Sequence, residues 1–164
     1  MLTREPKEAQ TGFAFTRIGY AYVPTTRIDE SIAWYTEHLE MKLENKFEER
    51  GSNLAVLRHP HVHAIALLLV ETTDARPLEI LRNGTPFPIM ALNCPDIART
   101  HRMLLEKGVA VDDLHTLGAG EAKYFYFRDN EGNLLEAAWS IWDPQDAIRQ
   151  SFSESADRAT LNEI

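Results

Sequence analysis

The chain is expected to fold as an α+β domain made of two halves with the same order of parts. Three observations predict it. Each half opens on a short apolar segment with strand character, each of these leads into an amphipathic helix, and each helix is followed by strand-like runs. The two halves match in this order rather than in residue identity.

Residues 1–16 are polar and charged and read as an N-terminal arm. Residues 17–23 follow as a strand with Ile18, Tyr20 and Tyr22 on one face, closed by Pro24-Thr25-Thr26. Asp29-Glu30-Ser31 places acid in the first turn of a helix on which Ile32, Tyr35 and Leu39 fall at helical spacing. Residues 41–47, 53–58 and 63–70 read as three strands, so a first module spans 17–71. A second module, 86–140, opens with a strand over 89–94 that Pro95 closes. Asp96 is the expected N-cap of a helix with Ile97, His101, Leu104 and Leu105 on one face, and Gly108 sits where a C-terminal cap belongs. Residues 109–111 begin a strand, and 123–127 and 134–139 supply two more. Beyond this 17–140 unit, residues 143–164 read as a helical extension: Asp143-Pro144 is a cap with proline at the first helical position, and Ile148, Phe152, Ala156 and Ala159 keep helical spacing.

Composition bounds the function. The 164 residues are 44% hydrophobic and 26% charged, ordinary for a globular domain with a sizeable core. A net charge of −8 argues against binding nucleic acid or an anionic membrane surface, and it favours cationic ligands weakly. The single cysteine, Cys94, allows no internal disulfide and fits a reducing compartment. The first residues lack the apolar run of a secretion signal, and the longest apolar run, 64–70, is too short to span a bilayer. A cytoplasmic protein is the expectation.

Phe127-Arg128-Asp129-Asn130-Glu131-Gly132-Asn133-Leu134-Leu135-Glu136 is the most informative stretch. It reads as a strand, a tight Asp/Asn/Gly turn and a second strand with one carboxylate among apolar residues. Such an acid is costly to bury unless it is paired, hydrogen-bonded, metal-bound or open to a cleft. Glu136 is therefore the first candidate for chemistry.

These residues resemble the vicinal oxygen chelate superfamily, which includes glyoxalase I, bleomycin-resistance proteins, fosfomycin-modifying enzymes and extradiol dioxygenases. Residues 29–35 with Leu39 are similar to the family's first helix, Cys94-Pro95-Asp96-Ile97 to the entry of its second, and Phe127 to Glu136 to its phenylalanine–aspartate–glycine–asparagine–glutamate ending. Glu40 stands where the family usually has glycine after the first helix. The resemblance implies a glyoxalase-like fold: paired βαβββ modules whose curved, mixed sheet forms a cup with flanking helices. In metal-dependent members it also implies a divalent ion held by His, Gln or Glu from the first and last strands of both modules, polarising two neighbouring substrate oxygens.

Carried over position by position, that ligand set becomes Tyr20, Leu68, Ile89 and Glu136. Glu136 is the only hard ligand among the four, and neighbouring registers offer no other. No metal and no other cofactor is expected; a divalent metal bound by unusual ligands is the disfavoured alternative. Glu136 then has three open accounts: a structural hydrogen-bond partner at the pocket floor, a carboxylate of raised pKa that accepts a proton or holds a cation, or a metal ligand. His61 and His63, two apart, are the unlikely metal pair, since Pro60 places them at a hairpin turn. His101 reads as a packed histidine, and His38 and His115 carry no readable signal. Tyr20, Tyr22, Tyr124 and Tyr126 share faces in pairs and, on a concave side, make an apolar pocket with polar handles. Gly118-Ala119-Gly120-Glu121 is either a flap over that pocket or a plain connection.

The expected function is small-molecule binding in a concave pocket lined by Tyr20, Tyr22, Leu68, Ile89, Tyr124, Tyr126 and Glu136, in a homodimer, with a cationic or amine-bearing ligand. It is either sequestration or metal-free chemistry with Glu136 as catalytic base. The alternative is a metal-dependent lyase or dioxygenase of the same superfamily.

Overall fold

The computed structural model describes residues 14–15 and 17–144. The sequence-predicted extension over 143–164, apart from Asp143 and Pro144, and nearly all of the arm over 1–16 lie outside the described residues. The first module runs β1 (Tyr20–Thr25), α1 (Ile28–Leu39), β2 (Lys42–Glu49), β3 (Ser52–Arg58) and β4 (Ala66–Glu71). A hairpin of β5 (Ile80–Arg82) and β6 (Thr85–Phe87) follows. The second module runs β7 (Ala91–Asn93), α2 (Ile97–Glu106), β8 (His115–Leu117), β9 (Ala122–Arg128) and β10 (Leu134–Ser140). Each module forms a mixed four-stranded sheet, β1-β4-β3-β2 and β7-β10-β9-β8, in which the first strand pairs in parallel with the last. This is the α+β, glyoxalase-like arrangement the sequence predicts.

Alternation along the strands sorts the residues into two faces. In the first sheet Val23, Leu67, Leu69, Ala55 and Leu57 point to the helix side and are buried. Phe125, Phe127, Leu135 and Ala137 do the same in the second. These residues join Tyr35, Ile97 and Leu104 from the helices in one hydrophobic core that spans both modules. Asp96 caps α2 as expected, accepting a hydrogen bond from Arg99 N at 3.2 Å. His101 packs edge-on against Phe125 and donates to the Asp112 carbonyl at 2.7 Å.

Several boundaries differ from the sequence reading, each for a local reason. Pro24 does not end β1: the strand lies at a sheet edge, paired only with β4, where a missing N–H leaves no gap in a ladder. Residues 109–111 form no strand beyond an isolated bridge from Val111 to Phe127, and β8 pairs with the same edge of β9 further along, at 122–124. β4 begins at Ala66, so His61 and His63 lie in the preceding turn. Leu105 is half exposed rather than turned to the core. Gly118-Ala119-Gly120-Glu121 is the tight connection of the β8–β9 hairpin, with Gly120 N donating to Leu117 O and both glycines at positive φ.

The turn between β9 and β10 clamps the modules together. Asp129 is buried, and its Oδ1 accepts from Glu131 N and Asn133 N, both at 2.9 Å. Its Oδ2 accepts from Asn133 Nδ2 at 2.8 Å and, across to the first module, from the Tyr35 hydroxyl at 2.7 Å. Asn133 also donates to the Pro24 carbonyl, and Glu131 accepts from Thr25 and Thr26. Four donors on one carboxylate satisfy an acid that burial would otherwise penalise.

Candidate functional site

Glu136 sits at the centre of β10, directly opposite Tyr126 on β9 and Ala91 on β7. Its neighbours Leu135 and Ala137 face the core, so Glu136 faces the other way, onto the side of the sheet that no helix covers. The next row on the same face is Asn93, Ala138, Tyr124 and His115. The rings on this face form a continuous ladder. Phe87, from the hairpin, meets Tyr126 edge-on at 6.1 Å; Tyr126 and Tyr124 lie 5.6 Å apart; His115 stacks on Tyr124 at 5.1 Å. All three spacings lie in the range of favourable ring contacts.

A second carboxylate belongs to the same face. Asp112 Oδ1 accepts from Tyr126 N at 2.5 Å, and its Oδ2 lies 3.2 Å from His115 Nε2. Desolvation, helped by the charge on Asp112, raises the Glu136 carboxyl above its ordinary value of 4.5. The Tyr126 phenol is raised by burial first and then by the Glu136 charge, with Arg82 acting in the opposite direction. No described residue donates a hydrogen bond to the Glu136 carboxylate, so its proton and charge are available to a ligand.

The sequence-predicted pocket residues fall into two groups. Tyr124, Tyr126 and Glu136 share the face just described. Tyr20, Tyr22 and Leu68 share the corresponding face of the first sheet, where Tyr22, Leu68, Val56 and Asn45 form one cross-strand row. Tyr20 and Tyr22 are more than half exposed there. Among the described residues no hydrogen bond, ion pair or ring contact joins the two groups. Ile89 lies before β7, partly buried and packed against the core. His61 and His63 are neighbours in their turn, with ring centroids 5.9 Å apart and His63 N donating to His61 Nδ1. Sequence reasoning missed Asp112, His115, Phe87 and Arg82. The only available signal was His115-x-x-x-x-x-x-x-x-Tyr124 spanning a glycine turn, which is too generic to read as a hairpin face.

A shallow cleft of about 200 Å³ lies elsewhere, between the start of α2 and the opposite side of the sheet. Lys123 and Trp139 line it with Pro95, Asp96, Ile97 and Ala98. Their parity is opposite to that of Glu136, and the cleft gathers no set of groups suited to chemistry.

The Glyoxalase/Bleomycin resistance protein/Dioxygenase superfamily model matches residues 17–137. The chain belongs to this superfamily. Solved structures share the fold. TnmS3, an antibiotic binding protein from Streptomyces sp. CB03234, is 20% identical with a TM-score of 0.60 over 76% of this chain and 96% of its own. A glyoxylase/bleomycin resistance protein/dioxygenase domain from Frankia sp. EAN1pec is 18% identical, with a TM-score of 0.61 over 77% of this chain and 99% of its own. FosX, the genomically encoded fosfomycin resistance protein from Listeria monocytogenes, is 10% identical, with a TM-score of 0.60 over 82% and 98%. At these identities the likeness is one of fold. No curated protein matches the chain.

Metal-dependent members of the superfamily hold a divalent ion through hard side chains, and of the corresponding positions in this chain Glu136 alone carries one. The corresponding positions carry a phenol, two aliphatic side chains and one carboxylate, and Ile89 is partly buried against the core. Among the described residues no three His, Cys, Asp or Glu side chains gather closely enough to hold a metal. Asp112 and His115 engage each other rather than converging with Glu136 on a common point.

Proposed function

We propose that this protein binds a small organic molecule on the open face of its second module, without the superfamily's metal, and acts by holding the ligand. The observation that supports this most is the aromatic ladder of Phe87, Tyr126, Tyr124 and His115 beside two carboxylates, Glu136 and Asp112. It offers apolar area with a few placed polar groups, the usual make-up of a small-molecule site. Ring faces and carboxylates both attract a cationic or amine-bearing group. The antibiotic-binding relative of the same fold gives the reading a precedent.

The assembly we propose is a homodimer. Tyr20, Tyr22 and Phe47 leave exposed apolar side chains on the face of the first sheet away from the helix, which a second copy would cover. The sole cysteine, buried and with its thiol pushed up by desolvation, suits a reducing compartment such as the cytoplasm. A second reading, metal-free proton transfer with Glu136 as the acid–base group, is favoured by the raised pKa of its carboxyl.

The test is metal analysis of protein purified without a histidine tag, paired with melting curves in EDTA and in a panel of divalent ions. A native-state ligand raises the melting temperature by mass action. The expected result is substoichiometric metal and melting curves that EDTA and the panel leave unchanged. Stoichiometric metal that is lost in Glu136→Gln would contradict the proposal and favour a metal-dependent lyase or dioxygenase.

A further inference from the structure

The hairpin between the modules brings a cation to the same face. β5 and β6 are joined by Asn83-Gly84, both at positive φ as a two-residue hairpin turn requires. A free two-stranded hairpin is marginal in water, and this one is fastened to the second module. Arg128 bonds Glu79 at 3.0 Å, Leu78 N donates to Asn133 Oδ1 at 2.7 Å, and Phe87 rests against Tyr126. The register pairs Arg82 with Thr85 and Ile80 with Phe87, so Arg82, Ile80 and Phe87 share one side. The Arg82 guanidinium lies over the Phe87 ring, 4.8 Å from its centroid. Arg82 forms no ion pair with any described residue, while Glu79, the acid nearest in sequence, pairs with Arg128.

The ladder therefore carries unlike charges along its length: Arg82 at the Phe87 end, Glu136 and Asp112 on either side of Tyr126, and His115 at the far end. Among the described residues neither the guanidinium nor the Glu136 carboxylate has an ion-pair partner of its own. Resting on the small-molecule reading above, we infer that the ligand is an extended planar aromatic molecule bearing both an anionic and a cationic group. Its ring system lies along Phe87, Tyr126 and Tyr124, its anion meets Arg82, and its amine or cation meets Glu136. Planar recognition of carboxylate by the guanidinium fork, and of a cation by a carboxylate amid rings, are each well suited to these side chains. An aromatic cation alone would meet the acidic end favourably and the Arg82 end unfavourably.

Three fluorescent probes of one skeleton separate these cases: an aminoacridine (cation), an acridinecarboxylate (anion) and the aminoacridinecarboxylate that carries both groups. Titrated by fluorescence anisotropy at neutral pH, the last should bind tightest, by about fivefold over either parent, the scale of one solvent-flanked ion pair. Arg82→Gln should erase its advantage over the aminoacridine, and Arg82→Lys should restore part of it. Glu136→Gln should erase its advantage over the acridinecarboxylate. Circular dichroism and melting curves confirm that each variant is folded. If wild type binds the aminoacridine or the acridinecarboxylate as tightly as the doubly charged probe, the charge assignment is overturned while the small-molecule reading stands. If it binds none of the three, both fall.

Discussion

At the scale of single residues, Asp129 and Glu136 show how one strand–turn–strand stretch divides its acids between structure and ligand. Asp129 is satisfied by four donors and faces the other module; Glu136, seven positions on, has none among the described residues and faces the open side. The Tyr35 hydroxyl links the clamp to the first module, and burial with the adjacent Asp129 charge pushes its phenol well above 10.0. A raised phenol pKa means that the folded state keeps the proton more firmly than the unfolded chain. The stability this contributes is present below the unfolded value and is lost as pH rises through it towards the folded one. Tyr35→Phe should cost roughly 1–3 kcal/mol at neutral pH, since it leaves a buried carboxylate one donor short. The gap between wild type and variant should then narrow above about pH 10. Urea unfolding at the two pH values checks this; a gap that stays constant, or none at neutral pH, would show that the clamp does not act as described.

At the scale of elements, α1 ends on a residue its conformation does not favour. Glu40 caps the helix in the left-handed region, at φ 57°, with its N–H donating to the Tyr35 carbonyl. This is where relatives usually carry glycine, which reaches the left-handed region without strain. Glu40→Gly should stabilise the protein by about 0.5–1 kcal/mol, the left-handed cost being partly offset by glycine's freer unfolded chain. That corresponds to a melting temperature raised by roughly 1–4 °C. A lowered melting temperature would mean that the Glu40 side chain makes a contribution that outweighs the backbone.

The same scale shows what could be read beforehand. Helices with caps and 3.6-residue spacing, and β3, β4, β9 and β10 with their apolar alternation, were legible because local pattern and burial agree. The hairpin of β5 and β6 and the short β8 were not, because three-residue strands carry too little periodicity to stand out. Residues 109–111, by contrast, have strand-like composition but make one bridge only, Val111 to Phe127, on the same edge of β9 that β8 pairs with further along at 122–124. The parity of Tyr124, Tyr126 and Glu136 was fixed by sequence. The contribution of Arg82, Phe87, Asp112 and His115 was not, because it depends on how loops return to the sheet.

At the scale of the whole molecule, two similar sheets share one core through their helix sides and leave their other faces open. One open face is an apolar band on the first sheet, around Tyr20 and Tyr22; the other is the charged aromatic ladder on the second. Among the described residues no helix is long and apolar enough to cross a membrane. The claim on which the functional account depends is that ligand sits on the ladder face of the second module. Amide chemical-shift mapping of the isotope-labelled protein, titrated with aminoacridinecarboxylate, tests it directly. Perturbations should gather on β8, β9, β10 and the β5–β6 hairpin, centred on Tyr126 and Glu136. Perturbations centred instead on the start of α2, around the cleft of Pro95 and Lys123, would contradict it.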